Sequence, residues 1–124
     1  MKAEQHVQAP RVLVVDDHPS FRRCAGALLS SEGFDVVGEA EDGASALTLV
    51  AELDPDLVVL DVQLPDISGF EVASRLHERN PGLAIVLVSS RDRTAYGSLI
   101  GTSGARGFIT KGDLSGAALA GLLR

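Results

Sequence analysis

The chain has 124 residues, of which 45% are hydrophobic, and this suits one domain with one core. Asp and Glu (17) outnumber Lys and Arg (11), giving a formal charge of −6. That balance argues against a broad basic face that grips a nucleic acid backbone. The single cysteine, Cys24, excludes an internal disulfide. Since no signal peptide and no bilayer-spanning run are recognised, we expect a reducing cytoplasm and no membrane contact.

The opening segment, MKAEQHVQAP, shows no hydrophobic period and ends in Pro10. It predicts a flexible tail over residues 1–10, followed by a single domain over 11–124. Within that domain, runs rich in Val, Leu and Ile recur, and several are nearly continuous, as in parallel strands covered on both faces. The predicted strands are Arg11–Val15, Asp35–Gly38, Leu57–Leu60, Leu83–Val88 and Gly107–Ile109.

Segments with helical spacing separate these strands. The apolar stripes are Phe21, Ala25, Leu28 and Leu29; then Leu47, Val50 and Ala51; then Val72, Ala73 and Leu76; then a weaker one over Thr94–Ile100; and last Leu114 through Ala118, Leu119 and Leu122. Five strand–helix units predict a doubly wound α/β fold, with a five-stranded parallel sheet, right-handed crossovers and helices on both faces.

Polar side chains follow the strands at the sheet edge where ligands bind in such folds. Asp16 and Asp17 follow the first strand, Asp61 the third, Ser89 the fourth and Lys111 the fifth. By contrast, the run Glu39-Ala40-Glu41-Asp42 after the second strand is typical of a solvated turn and a helix start. Three carboxylates, a hydroxyl and a lysine are therefore expected to converge.

This set of groups suits a divalent cation and a phosphoryl group. The formal charge of the three carboxylates and one lysine is balanced by one Mg²⁺, and oxygen ligands favour this hard cation. Lysine is a mobile point charge for a phosphoryl oxygen, and a hydroxyl can donate to another. We expect a phosphoryl group attached to, or passing over, an aspartate.

The motifs VLVVDDHPS, VVLDVQLPDISGFEV, IVLVSSRD and GARGFITK resemble those of the receiver domain of bacterial response regulators in two-component signalling. The subtype is similar to receivers of LuxR-type helix-turn-helix regulators. The resemblance implies a flavodoxin-like three-layer sandwich with strand order 2-1-3-4-5. It also implies that Asp61 is the phosphoacceptor, that Asp17 and Asp61 bind Mg²⁺ directly with the backbone carbonyl of Gln63, and that Asp16 acts through a metal-bound water.

The resemblance further implies that Ser89 and Lys111 hold phosphoryl oxygens, and that Ser89 and Phe108 form the switch. Such a domain is no ordinary enzyme; it catalyses its own phosphorylation and then slowly dephosphorylates. The implied partners are a sensor histidine kinase, a downstream protein or the chain's own output domain, and a second copy in a homodimer. The fourth helix, fifth strand and fifth helix are the expected partner surface.

Three departures from the family pattern matter. Phe108 replaces the frequent tyrosine and so lacks a hydroxyl. Gly112 follows Lys111 where proline is common, which leaves the cis or trans state of that peptide bond open. Gln63 and Arg91 lie two positions after Asp61 and Ser89, and we hypothesise that they set the phosphoryl lifetime.

Other interpretations stay open at this point. The chain could be a stand-alone receiver or a fragment of a DNA-binding transcriptional regulator. A haloacid-dehalogenase-like phosphatase needs a second aspartate two residues after the nucleophile, where Gln63 stands. A partner-binding domain with a degenerate site is the third alternative. We further predict that His18 is a loop or surface residue and that Cys24 packs near the apolar face of the first helix.

Overall fold

The computed structural model of the chain describes residues 9–123. Within this range, five parallel strands form one sheet in the predicted order β2-β1-β3-β4-β5. The strands are β1 (Arg11–Val15), β2 (Asp35–Ala40), β3 (Leu57–Asp61), β4 (Ala84–Ser89) and β5 (Gly107–Thr110). Most of the predicted tail, residues 1–8, lies outside the described range, so the boundary between tail and domain stays a prediction.

Helices cover both faces of the sheet, as expected for the doubly wound class. They are α1 (Pro19–Ser31), α2 (Gly43–Leu53), α3 (Gly69–Arg79), α4 (Leu99–Thr102) and α5 (Gly116–Leu123). Alternate strand residues face opposite sides: Val12 and Val14 join a core with Leu119 of α5, while Leu13 and Val15 join a second core beneath α2 and α3. No helix within residues 9–123 is long and apolar enough to cross a membrane.

The second strand is longer than predicted. It continues to Ala40, because Ala40 pairs with Val15 of β1 and its carbonyl accepts a hydrogen bond of 3.0 Å from the Asp16 N–H. Glu39 and Ala40 are therefore strand residues rather than a turn. Asp42 does start a helix, since its carboxylate accepts a hydrogen bond of 2.8 Å from the Ser45 N–H and caps α2.

The fourth helix is present, but it is shorter than predicted and displaced from the span Thr94–Ile100. A single 3₁₀ turn (Arg93–Ala95) and the four-residue α4 stand in its place, because Gly97 between them has φ of 55°, a left-handed conformation that breaks the helix. The last helix also begins later than predicted. Another 3₁₀ turn (Lys111–Asp113) follows β5, and Ser115 then caps α5 by accepting a hydrogen bond of 3.0 Å from the Ala118 N–H.

Two further expectations are settled by the described residues. Cys24 is exposed on α1 rather than packed near the apolar face, because Ala25 and Leu29 are the α1 residues that turn into the core. The peptide bond between Lys111 and Gly112 is trans, since residues 9–123 contain no cis bond.

Gly69 places the start of α3 directly against the end of β3. Its N–H donates to the Val62 carbonyl at 2.7 Å. A Cβ at this position would lie 2.2 Å from the carbonyl oxygen of Asp61, which is far inside van der Waals contact. The backbone of the carboxylate-bearing strand end therefore depends on a residue without a side chain.

We expect Gly69→Ala to lower the free energy of unfolding by about 1–3 kcal/mol, because the added methyl group must push the Asp61 backbone away. Gly26→Ala is the matched control, since a Cβ there meets no heavy atom within 4 Å. That control should raise the free energy of unfolding by up to about 1 kcal/mol through helix propensity. Urea unfolding of both variants measures this, and equal effects would contradict the close approach.

Candidate functional site

Three carboxylates meet where β1 and β3 end side by side. Asp61 is the last residue of β3 and Asp16 follows β1; their exposed fractions are 2% and 0%. Asp17 is more exposed and stands at the rim. One ligand atom from each of these three acids and from His18 lies within 4.8 Å of the others. The three predicted acids are therefore brought together, and two of them are buried.

The ammonium of Lys111 lies between the two buried acids. Its Nζ is 2.6 Å from Oδ2 of Asp16 and 3.4 Å from Oδ2 of Asp61. The same nitrogen sits 4.7 Å above the ring centre of Phe21, a cation–π contact from α1. Because β4 and β3 separate β5 from β1 in the sheet, only a long side chain can reach across this edge.

Burial and charge together set the protonation of the site. Burial and then the negative charge of Asp16 raise the pKa of Asp61 to about 6, although Lys111 and the Gln63 N–H act in the opposite direction. Burial lowers the pKa of Lys111, but its close contact with Asp16 and the charges of Asp61 and Asp16 raise it by more, so the net pKa is raised. The lysine is therefore a permanent cation.

The donor set fits a hard divalent cation. Oδ2 of Asp16 is buried and accepts no well-aligned hydrogen bond among residues 9–123; the nearby ammonium is the group that meets its charge. Carboxylate oxygens in this arrangement suit Mg²⁺ better than a soft metal. Gln63, the fourth predicted ligand residue, is exposed, and its N–H donates to Oδ1 of Asp61 at 3.3 Å.

His18 and Arg22 contact the acids in ways that sequence reasoning missed. The His18 side chain is 66% exposed, and its Nδ1 atom lies 3.1 Å from a carboxylate oxygen of Asp16 and of Asp17. The backbone N–H of His18 donates to Oδ1 of Asp16 at 2.8 Å. Arg22 donates to the Asp16 carbonyl at 2.6 Å and to Glu39 at 2.9 Å. These hydrogen bonds fix the loop between β1 and α1, and they could not be predicted from residue spacing.

Ser89, the last residue of β4, is 1% exposed. Its Oγ accepts a hydrogen bond of 3.0 Å from the Arg91 N–H and lies 2.6 Å from the hydroxyl oxygen of Tyr96. Phe108 on β5 is half-buried, with its ring centre 5.8 Å from that of Tyr96. Sequence reasoning missed Tyr96, because the chain between β4 and α4 is too irregular to place a side chain.

Comparison with known proteins identifies one family. The sequence matches the profile of the response regulator receiver domain over residues 12–117. The response regulator GacA of Pseudomonas aeruginosa is 38% identical over 103 residues, which cover 82% of this chain and 48% of that protein. The chain thus spans about half the length of the curated relatives it matches.

Solved structures agree with the sequence matches. A two-component response regulator of the LuxR family from Aurantimonas superposes with a TM-score of 0.83 at 30% identity, covering 92% of this chain and 85% of that one. A chain of the CheX–CheY–BeF₃–Mg²⁺ complex from Borrelia burgdorferi gives a TM-score of 0.77 at 25% identity, covering 91% and 85%.

We predict that Asp61→Asn stabilises the metal-free protein at pH 7. Because folding raises the pKa of Asp61 from 3.8 to about 6, the stability linked to this group is full below about pH 4 and is lost as the pH rises through 6. Removing the charge should therefore add on the order of 2 kcal/mol to the free energy of unfolding at pH 7.

Urea unfolding of the two proteins at pH 7 and pH 4, without divalent cations, checks this prediction. The gain should shrink markedly at the lower pH. Asp35→Asn is the control, since Asp35 is an exposed acid at the opposite end of the sheet. A gain of equal size at both pH values, or none at pH 7, would contradict the electrostatic account.

Proposed function

The chain belongs to the response regulator receiver domain family, and on this premise we propose that Asp61 accepts a phosphoryl group from the phosphohistidine of a sensor histidine kinase in a Mg²⁺-dependent reaction. The observation that carries the proposal is the placement of one buried carboxylate, Asp61, beside a lysine ammonium and two further carboxylates. A phosphoryl group that reaches Asp61 would meet the positive charge of the Lys111 ammonium.

The proposed reaction is an in-line displacement at phosphorus. A carboxylate oxygen of Asp61 attacks, the bond from phosphorus to the kinase histidine breaks, and the imidazole leaves with the electron pair. The product is an acyl phosphate, which water later hydrolyses to the carboxylate and inorganic phosphate. Lys111 now pairs with Asp61 at 3.4 Å, and it would turn to the transferred phosphoryl oxygens. Positioning and charge neutralisation supply most of the catalysis.

Asp17, Asp61 and the Gln63 carbonyl would bind Mg²⁺ directly, and Asp16 would act through a metal-bound water. When bound, the cation would neutralise charge on the phosphoryl oxygens. The likeness to a chain of a complex that contains BeF₃ and Mg²⁺ supports this assignment, as does the charge of three carboxylates against one ammonium. Metal and phosphoryl group would then share one edge of the sheet.

The proposed output is a change in the surface formed by α4, β5 and α5, reported by Ser89 and Phe108. A groove of about 470 Å³ opens beside this surface, between the segment Asp92–Thr94, β5 and the start of α5, and Leu99 of α4 is 51% exposed. The groove is lined by Asp92, Arg93, Thr94, Phe108, Ile109, Thr110, Asp113 and Ala118. Substitutions in this groove that leave partner binding and self-association unchanged would count against this surface.

A receiver within a DNA-binding transcriptional regulator is the second candidate. It is favoured by the length of the curated relatives, of which this chain covers about half, and by names such as the transcriptional regulatory protein DegU of Brevibacillus brevis. The proposed output partner is then a second domain of the same protein. The phosphatase alternative gains no support, because the exposed amide of Gln63 cannot act as the required acid–base partner.

Incubation with acetyl phosphate and Mg²⁺ is the direct test, read by intact mass. We expect a gain of one phosphoryl group on the wild type, none when Mg²⁺ is chelated, and none on Asp61→Asn. Asp35→Asn keeps the acceptor and should behave like the wild type. A folded wild type that gains no mass, or an Asp61→Asn variant that still does, would overturn the assignment of the acceptor.

The phosphoryl lifetime provides another test. Gln63 and Arg91 are both exposed at the rim of the site, where their side chains can screen the acyl phosphate from water. We expect Gln63→Ala and Arg91→Ala to change the dephosphorylation rate by roughly 3- to 10-fold, which is about 0.7–1.4 kcal/mol in the barrier. Arg93→Ala is the control, and unchanged rates in both test variants would refute the hypothesis.

A further inference from the structure

Tyr96 contacts residues of three elements: α3, β4 and β5. Residues 90–99 are exposed except for this half-buried side chain. Its ring packs edge-on against Phe70 of α3, with ring centres 5.4 Å apart, and against Phe108 of β5 at 5.8 Å. Its hydroxyl oxygen lies 2.6 Å from Oγ of Ser89. The segment after β4 is therefore anchored by one aromatic residue.

The hydrogen bonds around Ser89 allow its own proton to be given to a further acceptor. A serine oxygen accepts two hydrogen bonds and donates one. The Arg91 N–H fills the first acceptor position at 3.0 Å. In the 2.6 Å contact with Tyr96 either hydroxyl can be the donor. Because a phenol is a stronger acid than an alkyl alcohol, Tyr96 can donate and fill the second position once the Ser89 proton has another acceptor. Ser89 makes no further hydrogen bond among the described residues, although its side chain is 1% exposed.

An acceptor for that proton can arrive on the neighbouring strand. In the pairing of β3 with β4, Asp61 lies opposite Val88, the residue before Ser89. An anionic oxygen delivered to this edge is a stronger acceptor than the Tyr96 hydroxyl, so the Ser89 proton can turn to it while Tyr96 becomes the donor to Ser89.

We propose that Tyr96 is a positioning residue for the receiver reaction: its hydroxyl fixes Ser89 as a hydrogen-bond donor toward a phosphoryl group on Asp61. This inference rests on the proposed function of Asp61. Phe108 has no hydroxyl and cannot perform this task, so the hydroxyl is supplied from the segment after β4 instead of from β5.

The same contact couples the site to the exposed segment. In the chain of hydrogen bonds from Tyr96 through Ser89 to the phosphoryl oxygen, each bond polarises the next. A Ser89 that shifts toward Asp61 draws the Tyr96 hydroxyl with it, and the ring then changes its packing on Phe70 and Phe108. The turn Arg93–Ala95, which immediately precedes Tyr96, moves in consequence.

A double-mutant cycle on the full chain separates this role from simple packing. The probe is beryllofluoride, a phosphoryl mimic, titrated calorimetrically at saturating Mg²⁺ into the wild type, Tyr96→Phe, Ser89→Ala and the double variant. Tyr96→Phe keeps the ring and removes only the hydroxyl. We expect it to weaken binding roughly 3- to 10-fold, which is about 0.7–1.4 kcal/mol, and to change binding less than about twofold when Ser89 is already alanine.

Phe70→Leu is the packing control, because it disturbs the ring contact and leaves the hydroxyl. Phe70→Leu should weaken beryllofluoride binding by the same factor in the wild type and in Ser89→Ala. A Tyr96→Phe variant that binds like the wild type, or that loses equal affinity in both backgrounds, would overturn the inference alone. A wild type that shows no Mg²⁺-dependent binding would overturn the proposed function and this inference with it.

The fluorescence of the wild type gives a measurement that needs no variant. The chain contains one tyrosine and no tryptophan, so tyrosine emission reports on Tyr96 alone. Beryllofluoride with Mg²⁺ should change that emission, while Mg²⁺ alone should change it less. Emission that is identical in the two conditions would refute the coupling between Tyr96 and the occupied site.

Discussion

Two carboxylates buried at the ends of adjacent strands repel each other, and the ammonium of Lys111 is the group that opposes this repulsion. Its position 2.6 Å from Asp16 and 3.4 Å from Asp61 allows the ends of β1, β3 and β5 to close around one point. Removing the lysine would leave two buried carboxylates without a counter-charge. The closure of this edge of the sheet therefore depends on Lys111.

The carboxylates still repel one another when Lys111 is present, and this net repulsion is consistent with a site that binds a further, cationic ligand. Three carboxylates face one ammonium, and the raised pKa of Asp61 reflects burial and the charge of Asp16, which disfavour its ionised form. A cation relieves that cost, and a phosphoryl group attached to Asp61 would in turn give Lys111 and Ser89 new acceptors. Stability given up at the site becomes binding energy for the ligands.

The parts of the fold that were predictable depend on short-range patterns. Apolar runs place the strands, and residues that follow parallel strands must share an edge, so Asp16, Asp61 and Lys111 could be assigned in advance. The errors arose where tertiary contacts decide. Gly97 breaks a segment that looks helical, and the last residues of β2 extend because β1 offers hydrogen bonds. The contact between Tyr96 and Ser89 depends on how an irregular segment folds back, which residue spacing does not encode.

That irregular segment also explains how a small local change could spread. Residues 90–102 contain one 3₁₀ turn and one helix of a single turn, and the chain between them passes through a left-handed glycine. Few side chains of this segment pack against the rest of the domain; Tyr96 is half-buried and Ile100 is buried. An element with so little packing opens at low free energy, so a few hydrogen bonds can select between its arrangements. A longer, better packed fourth helix would resist the movement proposed for Ser89. The sparse packing that shortens the fourth helix is thus the property that the proposed switch segment requires.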